Sequence, residues 1–150
     1  MTPSLPADVH FARLIAMYAA APTNEYHQPR LSVAEGEARI EIDIRPDMFH
    51  SAGATHGNVY FKALDDSCFF AANSLEPDVF VLTTSFTTYI TRPISAGTMT
   101  AVGRVVNANR SQWIVESVAT DTDGREVARG NGIMVRSKVL LADVESYTFG

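Results

Sequence analysis

The sequence predicts an α+β fold in which one long buried helix packs against an antiparallel sheet of five to six strands. Residues 56–75 are apolar around almost the whole helical circumference, which indicates a helix covered on all sides. Much of the remaining chain alternates apolar and polar residues between short turn sequences, which is typical of consecutive antiparallel strands. Strands arranged around a single helix favour the α+β class.

The chain is predicted to form a single domain. It has 150 residues and a formal net charge of −5, a size that buries a core without disulfides. Within 1–150 we expect an N-terminal helix at about 5–21, a core at about 30–137 and a C-terminal tail at 138–150. Cys68 is the only cysteine, which is consistent with a cytoplasmic protein. The acidic balance, without a basic cluster, predicts neither a nucleic-acid partner nor an anionic-membrane partner.

The N-terminal segment allows two interpretations. Arg13 followed by the apolar residues 14–21 resembles a weak secretory signal, but Asp8 and the absence of earlier basic residues do not fit one. Apolar side chains recur at helical spacing, at Phe11, Leu14, Ile15 and Tyr18. This spacing favours an amphipathic helix, and no stretch approaches the roughly 20 apolar residues of a membrane helix.

Six strands are predicted, at 31–35, 38–45, 79–91, 98–107, 112–121 and 126–136. Asp123-Gly124 predicts a tight hairpin before the last of them. In the third, four apolar residues share one parity and indicate a single apolar face, namely Phe80, Leu82, Phe86 and Ile90. Gly130 and Gly132 form only a fragment of a dinucleotide-binding motif inside a strand, where a bulge or a close backbone approach is the better interpretation.

Several common catalytic motifs do not occur. The sequence contains no G-x-S-x-G elbow, no H-E-x-x-H, no P-loop and no cysteine pair for zinc, so we predict no metal site and no cofactor. His10 and His27 receive no functional assignment.

Two adjacent aspartates in the central helix have different surroundings. Asp65 lies on a mostly apolar stripe, so its carboxylate must be satisfied by a neighbour, face a cavity or carry a raised pKa. Asp66 points about 100° away, toward a sector that contains Lys62 as an i−4 partner. Just before the helix, Gly53, His56 and Gly57 leave backbone N–H groups free to polarise a carbonyl. Asp65 and this helix start are therefore the candidate catalytic groups.

The segment Gly53-Ala-Thr-His-Gly-Asn58, followed by Phe61-Lys-Ala-Leu-Asp65, resembles the loop and helix of hotdog-fold acyl-CoA thioesterases of the phenylacetate-degradation (PaaI-like) type. The family pattern is roughly G-x-x-H-G-G followed by L-x-D, and the resemblance extends over about residues 37–137. It implies a helix wrapped by a curved antiparallel sheet and hydrolysis of an acyl-CoA thioester. It also implies a homodimer or homotetramer with active sites between subunits.

The resemblance assigns roles residue by residue. Asp65 is implied to be the catalytic carboxylate, acting as nucleophile or general base, and the Gly57 N–H to polarise the thioester carbonyl. Thr83 stands where related enzymes carry a Ser or Thr that positions water, although a threonine also suits a strand. His50 replaces the usual Asn or Gln, and could donate to the carbonyl or titrate near neutrality. Asn58 replaces the usual second Gly.

Further residues are assigned to substrate binding. His56 and Asn58 lie at the helix start, and Arg92, Arg136 and Lys138 could meet the phosphates of coenzyme A or simply be solvated surface charges. Two other functions stay open: an acyl-CoA-binding or sensing module without turnover, and a hotdog-fold dehydratase or hydratase. The sequence does not indicate the acyl group.

Overall fold

The computed structural model describes residues 4–148, with a long central helix surrounded by strands. The helices are α1 (Ala7–Ala19), α2 (Asn24–His27), α3 (Gly57–Ser74) and α4 (Glu145–Thr148). The strands are β1 (Arg30–Ala34), β2 (Glu37–Asp43), β3 (Val79–Ile90), β4 (Thr98–Ala108), β5 (Gln112–Thr120) and β6 (Glu126–Leu140). The predicted helices and all six predicted strands are therefore confirmed.

The six strands form one antiparallel sheet in the order β1-β2-β4-β5-β6-β3. The last three strands in the chain are joined by short hairpins, and Gly124 adopts a φ of +78° in the second of these turns. A positive φ suits glycine because it has no Cβ to clash. β1 and β3 are the two edges of the sheet, so β3 is paired with β6 on one side only.

Helix α3 lies very close to the sheet at the middle of β4. A Cβ on Gly103 would stand 2.4 Å from the carbonyl carbon of Ser67, so only glycine fits at this crossing. The buried hydroxyl of Ser67 donates to the Leu64 carbonyl at 2.9 Å and lies 2.7 Å from the Ser117 hydroxyl in β5. Because Ser67 has one proton, Ser117 is the donor between the two hydroxyls. These contacts fix the helix against the sheet.

Strand β3 contains a bulge that changes which side chains face the helix. Thr83 pairs with Met134 and Ser85 with Ile133, which leaves Thr84 as an extra residue. Before the bulge Val81 is fully buried, whereas Leu82 is 47% exposed. The predicted single apolar face of this strand is therefore wrong, because the extra residue reverses the alternation between Leu82 and Phe86.

The ring of Phe86 lies against the backbone of β6 at two glycines. A Cβ on Gly130 would be 2.5 Å from its Cε1, and one on Gly132 would be 2.7 Å from its Cδ2. The predicted close approach at these glycines is confirmed, and the ring also packs edge-to-face with Phe61 of α3, with the ring centroids 5.7 Å apart. The two glycines make room for an aromatic side chain.

The N-terminal helix and the C-terminal segment pack on each other. His10 of α1 is 3% exposed, and its Nε2 lies 2.8 Å from the Asn73 carbonyl, which only accepts. Its Nδ1 therefore accepts from the Tyr147 hydroxyl of α4 at 2.7 Å. The segment predicted as a tail continues β6 to Leu140 and then forms α4. None of the helices in residues 4–148 has the length and apolar character needed to cross a membrane.

Candidate active site

Asp65 meets all three conditions set by its position in the sequence. The Thr83 hydroxyl, across from α3 on β3, donates to Asp65 Oδ1 at 2.8 Å. Both side chains line a cavity of about 330 Å³, and Oδ2 accepts no hydrogen bond from any residue between 4 and 148. The side chain is half-buried in the third turn of the helix. One carboxylate oxygen is thus held in place while the other is available to a ligand.

Burial raises the pKa of Asp65 from 3.8 to about 6. The Thr83 hydrogen bond opposes this rise, the negative charge of Asp66 adds to it, and Lys62 opposes it. A carboxylate with a pKa near 6 is ionised at neutral pH and is a stronger base than a solvated aspartate. The surroundings of Asp65 therefore favour proton abstraction at neutral pH.

Asp66 is held apart from this function by two donors. Lys62 Nζ lies 2.6 Å from Asp66 Oδ2, and the Tyr18 hydroxyl donates to the same oxygen at 2.5 Å. The predicted Lys62 partner is confirmed, and Tyr18 of α1 is a second partner that the sequence did not indicate. Burial and the Asp66 charge raise the pKa of Tyr18 far above its usual range, so the phenol remains a donor. The two aspartates differ as their helical angles predict.

The N-terminal segment forms a wall of the Asp65 cavity that the sequence did not indicate. Apolar side chains from α1, α3 and β3 surround the cavity, namely Met17, Phe69, Phe70, Phe80 and Leu82. Ala21, Thr23 and Asn24 from the connection between α1 and α2 complete the lining. Helical periodicity in α1 could reveal its buried face, but not which part of the distant helix α3 it would cover.

The first turn of α3 leaves one backbone donor free. His56 caps the helix, and its Nδ1 accepts from the Asn58 N–H at 3.0 Å. Within residues 4–148, no hydrogen bond uses the Gly57 N–H. Asn58 has ordinary helical backbone, since Gln28 is the one described non-glycine residue with positive φ. Replacing the family's second glycine therefore leaves the helix start intact.

His50 is exposed in the loop before α3, and its protonation pattern follows from one contact. Its Nδ1 accepts from the Ala52 N–H at 3.1 Å. A neutral imidazole carries a single proton, so Nε2 is the protonated nitrogen. The ring can thus present Nε2–H as a hydrogen-bond donor, as an Asn or Gln amide would.

His50, Gly57 and Arg92 line a second pocket of about 340 Å³ at the start of α3. The other two predicted cations lie on β6. Arg136 forms a salt bridge with Glu76 at 2.8 Å and donates a hydrogen bond to the Arg110 carbonyl at 2.8 Å, while Lys138 is exposed. The structure thus brings one of the three cations next to the helix start.

The predicted catalytic residues form two groups in one chain. Asp65 and Thr83 share one cavity, whereas His50 and Gly57 share the other. Gly57 and Asp65 are eight residues apart in α3, which corresponds to about 12 Å along the helix axis. An oxyanion donor and a base must both lie about 3 Å from the reacting atoms. A single chain cannot bring these two groups to one carbonyl.

Comparisons with other proteins agree with this architecture. A family model described as the thioesterase superfamily matches residues 52–128. A Mycobacterium tuberculosis protein named "Putative esterase Rv1847" is 32% identical over 99 residues, covering 62% of this chain and 69% of that protein.

Solved structures are similar over most of their length. The PaaI protein of the E. coli phenylacetic acid degradation operon is 19% identical, with a TM-score of 0.81 over 89% of this chain and 97% of that one. A point mutant of the phenylacetic acid degradation protein PaaI from Thermus thermophilus is 25% identical, with a TM-score of 0.71 over 78% of this chain and 100% of that one. The expected hotdog fold and the family resemblance are confirmed. The chain belongs to the thioesterase superfamily, whose fold serves thioester hydrolysis.

Proposed function

We propose that the protein hydrolyses acyl-CoA thioesters, with Asp65 as the catalytic carboxylate. The observation that carries this proposal is the state of Asp65: half-buried, held at Oδ1 by Thr83, open at Oδ2 and raised in pKa to about 6. A carboxylate prepared in this way has a function beyond stability, because ionising it in an apolar site costs free energy.

The reaction follows from the donors and the base. The Gly57 N–H, with the His50 Nε2–H beside it, polarises the thioester carbonyl and stabilises the oxyanion. Asp65 takes a proton from water as the water oxygen bonds to the carbonyl carbon. The tetrahedral intermediate then collapses, the carbon–sulfur bond breaks and coenzyme A leaves as a thiolate. In the alternative course Asp65 attacks the carbon itself and forms a mixed anhydride, which water hydrolyses.

The separation of about 12 Å along α3 between Gly57 and Asp65 supports an active site shared by two copies of the chain. Asp65 and Thr83 of one subunit would face His50 and Gly57 of the other. The free side of β3 favours this pairing, because edge strands with exposed apolar side chains readily associate. Leu82, Tyr89 and Ile90 of this strand are about half exposed. A homodimer satisfies this requirement, as does a homotetramer built from two such dimers.

The second pocket is a suitable place for the charged part of the substrate. Arg92 is exposed there beside His50 and Gly57, so its guanidinium could bind a phosphate of coenzyme A. His56 and Asn58 border the same helix start, and exposed Lys138 is a further candidate for the phosphates. Arg136 is the least suited of the three cations, because Glu76 already neutralises it. We propose the cytoplasm as the place where the protein meets its coenzyme A thioester substrates.

The first experiment measures free-thiol release from a series of acyl-CoA thioesters by wild type, Asp65→Asn and Asp66→Asn. Asp65→Asn keeps the shape but removes the base, so we expect a loss of at least about a hundredfold in kcat. Asp66→Asn is the matched control and is expected to lose less than about tenfold. Equal losses in the two variants would contradict the assignment. Binding of CoA thioesters without cleavage would instead favour a sensing module.

A mixing experiment tests the shared site. In a hybrid of Asp65→Asn and His50→Ala chains, one of the two sites combines an intact Asp65 with an intact His50. Half of the randomly mixed dimers are hybrids, so we expect roughly a quarter of wild-type activity from two nearly inactive variants. No recovery after exchange of subunits would contradict a site built from both chains.

A further inference from the structure

The cavity beside Asp65 has a wall that the proposed chemistry does not use. This wall is the segment from Met17 to Asn24, which runs from the end of α1 into α2. It stands opposite α3 and β3, the two elements that carry Asp65 and Thr83. A cavity of about 330 Å³ falls in the range of small-molecule sites, roughly 300–1,000 Å³. The cavity therefore has room for part of a substrate.

The composition of the walls indicates which part. Apart from the polar groups at Asp65, Asp66 and Lys62, the cavity is lined mainly by aromatic and aliphatic side chains. The Asp66 charge is already paired with Lys62 at 2.6 Å, so no free cation is present in this lining for a phosphate. Two carboxylates in the lining oppose an anionic ligand. An apolar group is the ligand that suits these surroundings.

The position of Asp65 gives this apolar group its direction. The thioester carbonyl must lie within hydrogen-bonding reach of the base, directly or through one water. In the proposed shared site, the nucleotide side of the substrate extends toward the Arg92 pocket of the other subunit. The carbons on the other side of the carbonyl then continue into the cavity, toward Met17 and Ala21.

The wall is held in place by specific contacts. Asn24 is 5% exposed and its Nδ2 donates to the Tyr18 carbonyl at 2.7 Å, while its N–H donates to the Ala21 carbonyl at 2.9 Å. The Tyr18 hydroxyl ties the same segment to Asp66 of α3. The segment is thus folded on itself by Asn24 and tied to α3 by Tyr18, which limits the space behind Asp65.

We infer that this cavity binds the acyl chain of the substrate, and that the Met17–Asn24 segment determines how long an apolar chain the protein accepts. The inference rests on the proposed hydrolysis at Asp65. Taking about 30 Å³ for each atom of the size of a water molecule, the cavity holds on the order of ten non-hydrogen atoms. The substrate class is therefore a medium-chain apolar acyl thioester.

Ala21 offers a direct test because it lines the cavity from a turn and is half-buried, whereas its neighbour Ala20 is exposed and lies outside the lining. The probes are S-decyl-CoA and S-ethyl-CoA, thioethers that cannot be hydrolysed. Their dissociation constants are measured by calorimetry for wild type, Ala21→Leu, Ala21→Phe and the control Ala20→Phe. Thermal melting of each variant verifies that it is folded.

Wild type is expected to bind S-decyl-CoA at least about a hundredfold more tightly than S-ethyl-CoA. Ala21→Phe should reduce this preference by at least about tenfold, with Ala21→Leu in between. Ala20→Phe should keep the wild-type preference within about twofold. An unchanged preference in Ala21→Phe, or an equal change in Ala20→Phe, would overturn the inference.

Thiol release by the same proteins separates this inference from the proposed function. Chain-length selectivity that depends on Ala21, without cleavage of any acyl-CoA, would refute hydrolysis and keep the acyl site. Cleavage with a selectivity that ignores Ala21 would keep hydrolysis and refute the acyl site.

Discussion

The hydrogen bond from Thr83 to Asp65 makes a quantitative prediction for the pH dependence of catalysis. The hydroxyl donates to Oδ1 at 2.8 Å and favours the ionised carboxylate, opposing the rise that burial causes. Thr83→Val removes the donor at nearly constant volume. The pKa of Asp65 should therefore increase above its value of about 6.

The size of the change follows from the strength of such bonds. A hydrogen bond to a charged group contributes about 1.5–3 kcal/mol, and about 1.36 kcal/mol corresponds to one pH unit. Because Asp65 is only half-buried, we take the lower end, an increase of about one pH unit. At about pH 6 the ionised fraction then falls about fivefold, while at about pH 9 it is nearly unchanged.

The assay is kcat/KM for one acyl-CoA thioester between about pH 4.5 and 9, for wild type, Thr83→Val, Thr83→Ser and Thr84→Val. The acidic limb of the pH profile should move to higher pH in Thr83→Val. It should return to the wild-type position in Thr83→Ser. Thr84 is exposed and bonds the Ile133 carbonyl at 3.3 Å, so Thr84→Val is the matched control. An unmoved limb in Thr83→Val, or an equal movement in Thr84→Val, would refute the reasoning.

Three further predictions concern stability and the charged part of the substrate. Because the folded pKa of Asp65 is raised, its contribution to stability is full below pH 3.8 and is lost as pH rises through about 6. The free energy of unfolding of Asp65→Asn, measured in urea, should therefore exceed that of wild type by up to about 3 kcal/mol at about pH 8 and by little at about pH 4. A difference independent of pH would contradict this. Gly103→Ala should lower the free energy of unfolding by about 3 kcal/mol or more, because its methyl group meets the α3 backbone; a loss below about 1 kcal/mol would mean that the helix can move away. Arg92→Ala should raise KM for an acyl-CoA but not for the matching acyl-pantetheine. Arg136→Ala should lower Tm and leave both KM values unchanged. The reverse pattern would mean that Arg136, not Arg92, binds the phosphates.

The local patterns of the sequence predicted most of the fold. Alternation located the strands because each has one face on α3 and one in solvent, and the all-round apolar helix indicated that α3 is central. The bulge at Thr84 could not be predicted, because the pair Thr83-Thr84 is compatible with a regular strand and with a bulged one. As a result, Leu82 was predicted to lie on the apolar face of this strand, whereas it is about half exposed.

The candidate site was predictable where it depends on one helix. The angles around α3 distinguished Asp65 from Asp66, and the spacing of His56 and Gly57 marked the helix start. The contacts of Tyr18 and Ala21 with this region could not be inferred, since they depend on how α1 packs across α3. Arg136 likewise has a local charge but a distant partner in Glu76, which only the fold brings within 2.8 Å.

The ring of Phe86 over Gly130 and Gly132 also restricts how the sequence can change. Neither glycine can acquire a side chain, since an added Cβ would approach the ring within 2.7 Å and a backbone carbonyl oxygen of Ser85 or Thr87 within 2.8 Å. A smaller residue at position 86 would give up the contact with Phe61 without making room for a larger residue at 130 or 132, because the β3 backbone is as close as the ring. In related chains that pair these two strands in the same way, we therefore expect glycine at 130 and 132 whatever residue stands at position 86. The Gly-x-Gly spacing in β6 is then the mark of a neighbouring strand, β3, whose backbone approaches too closely for any side chain.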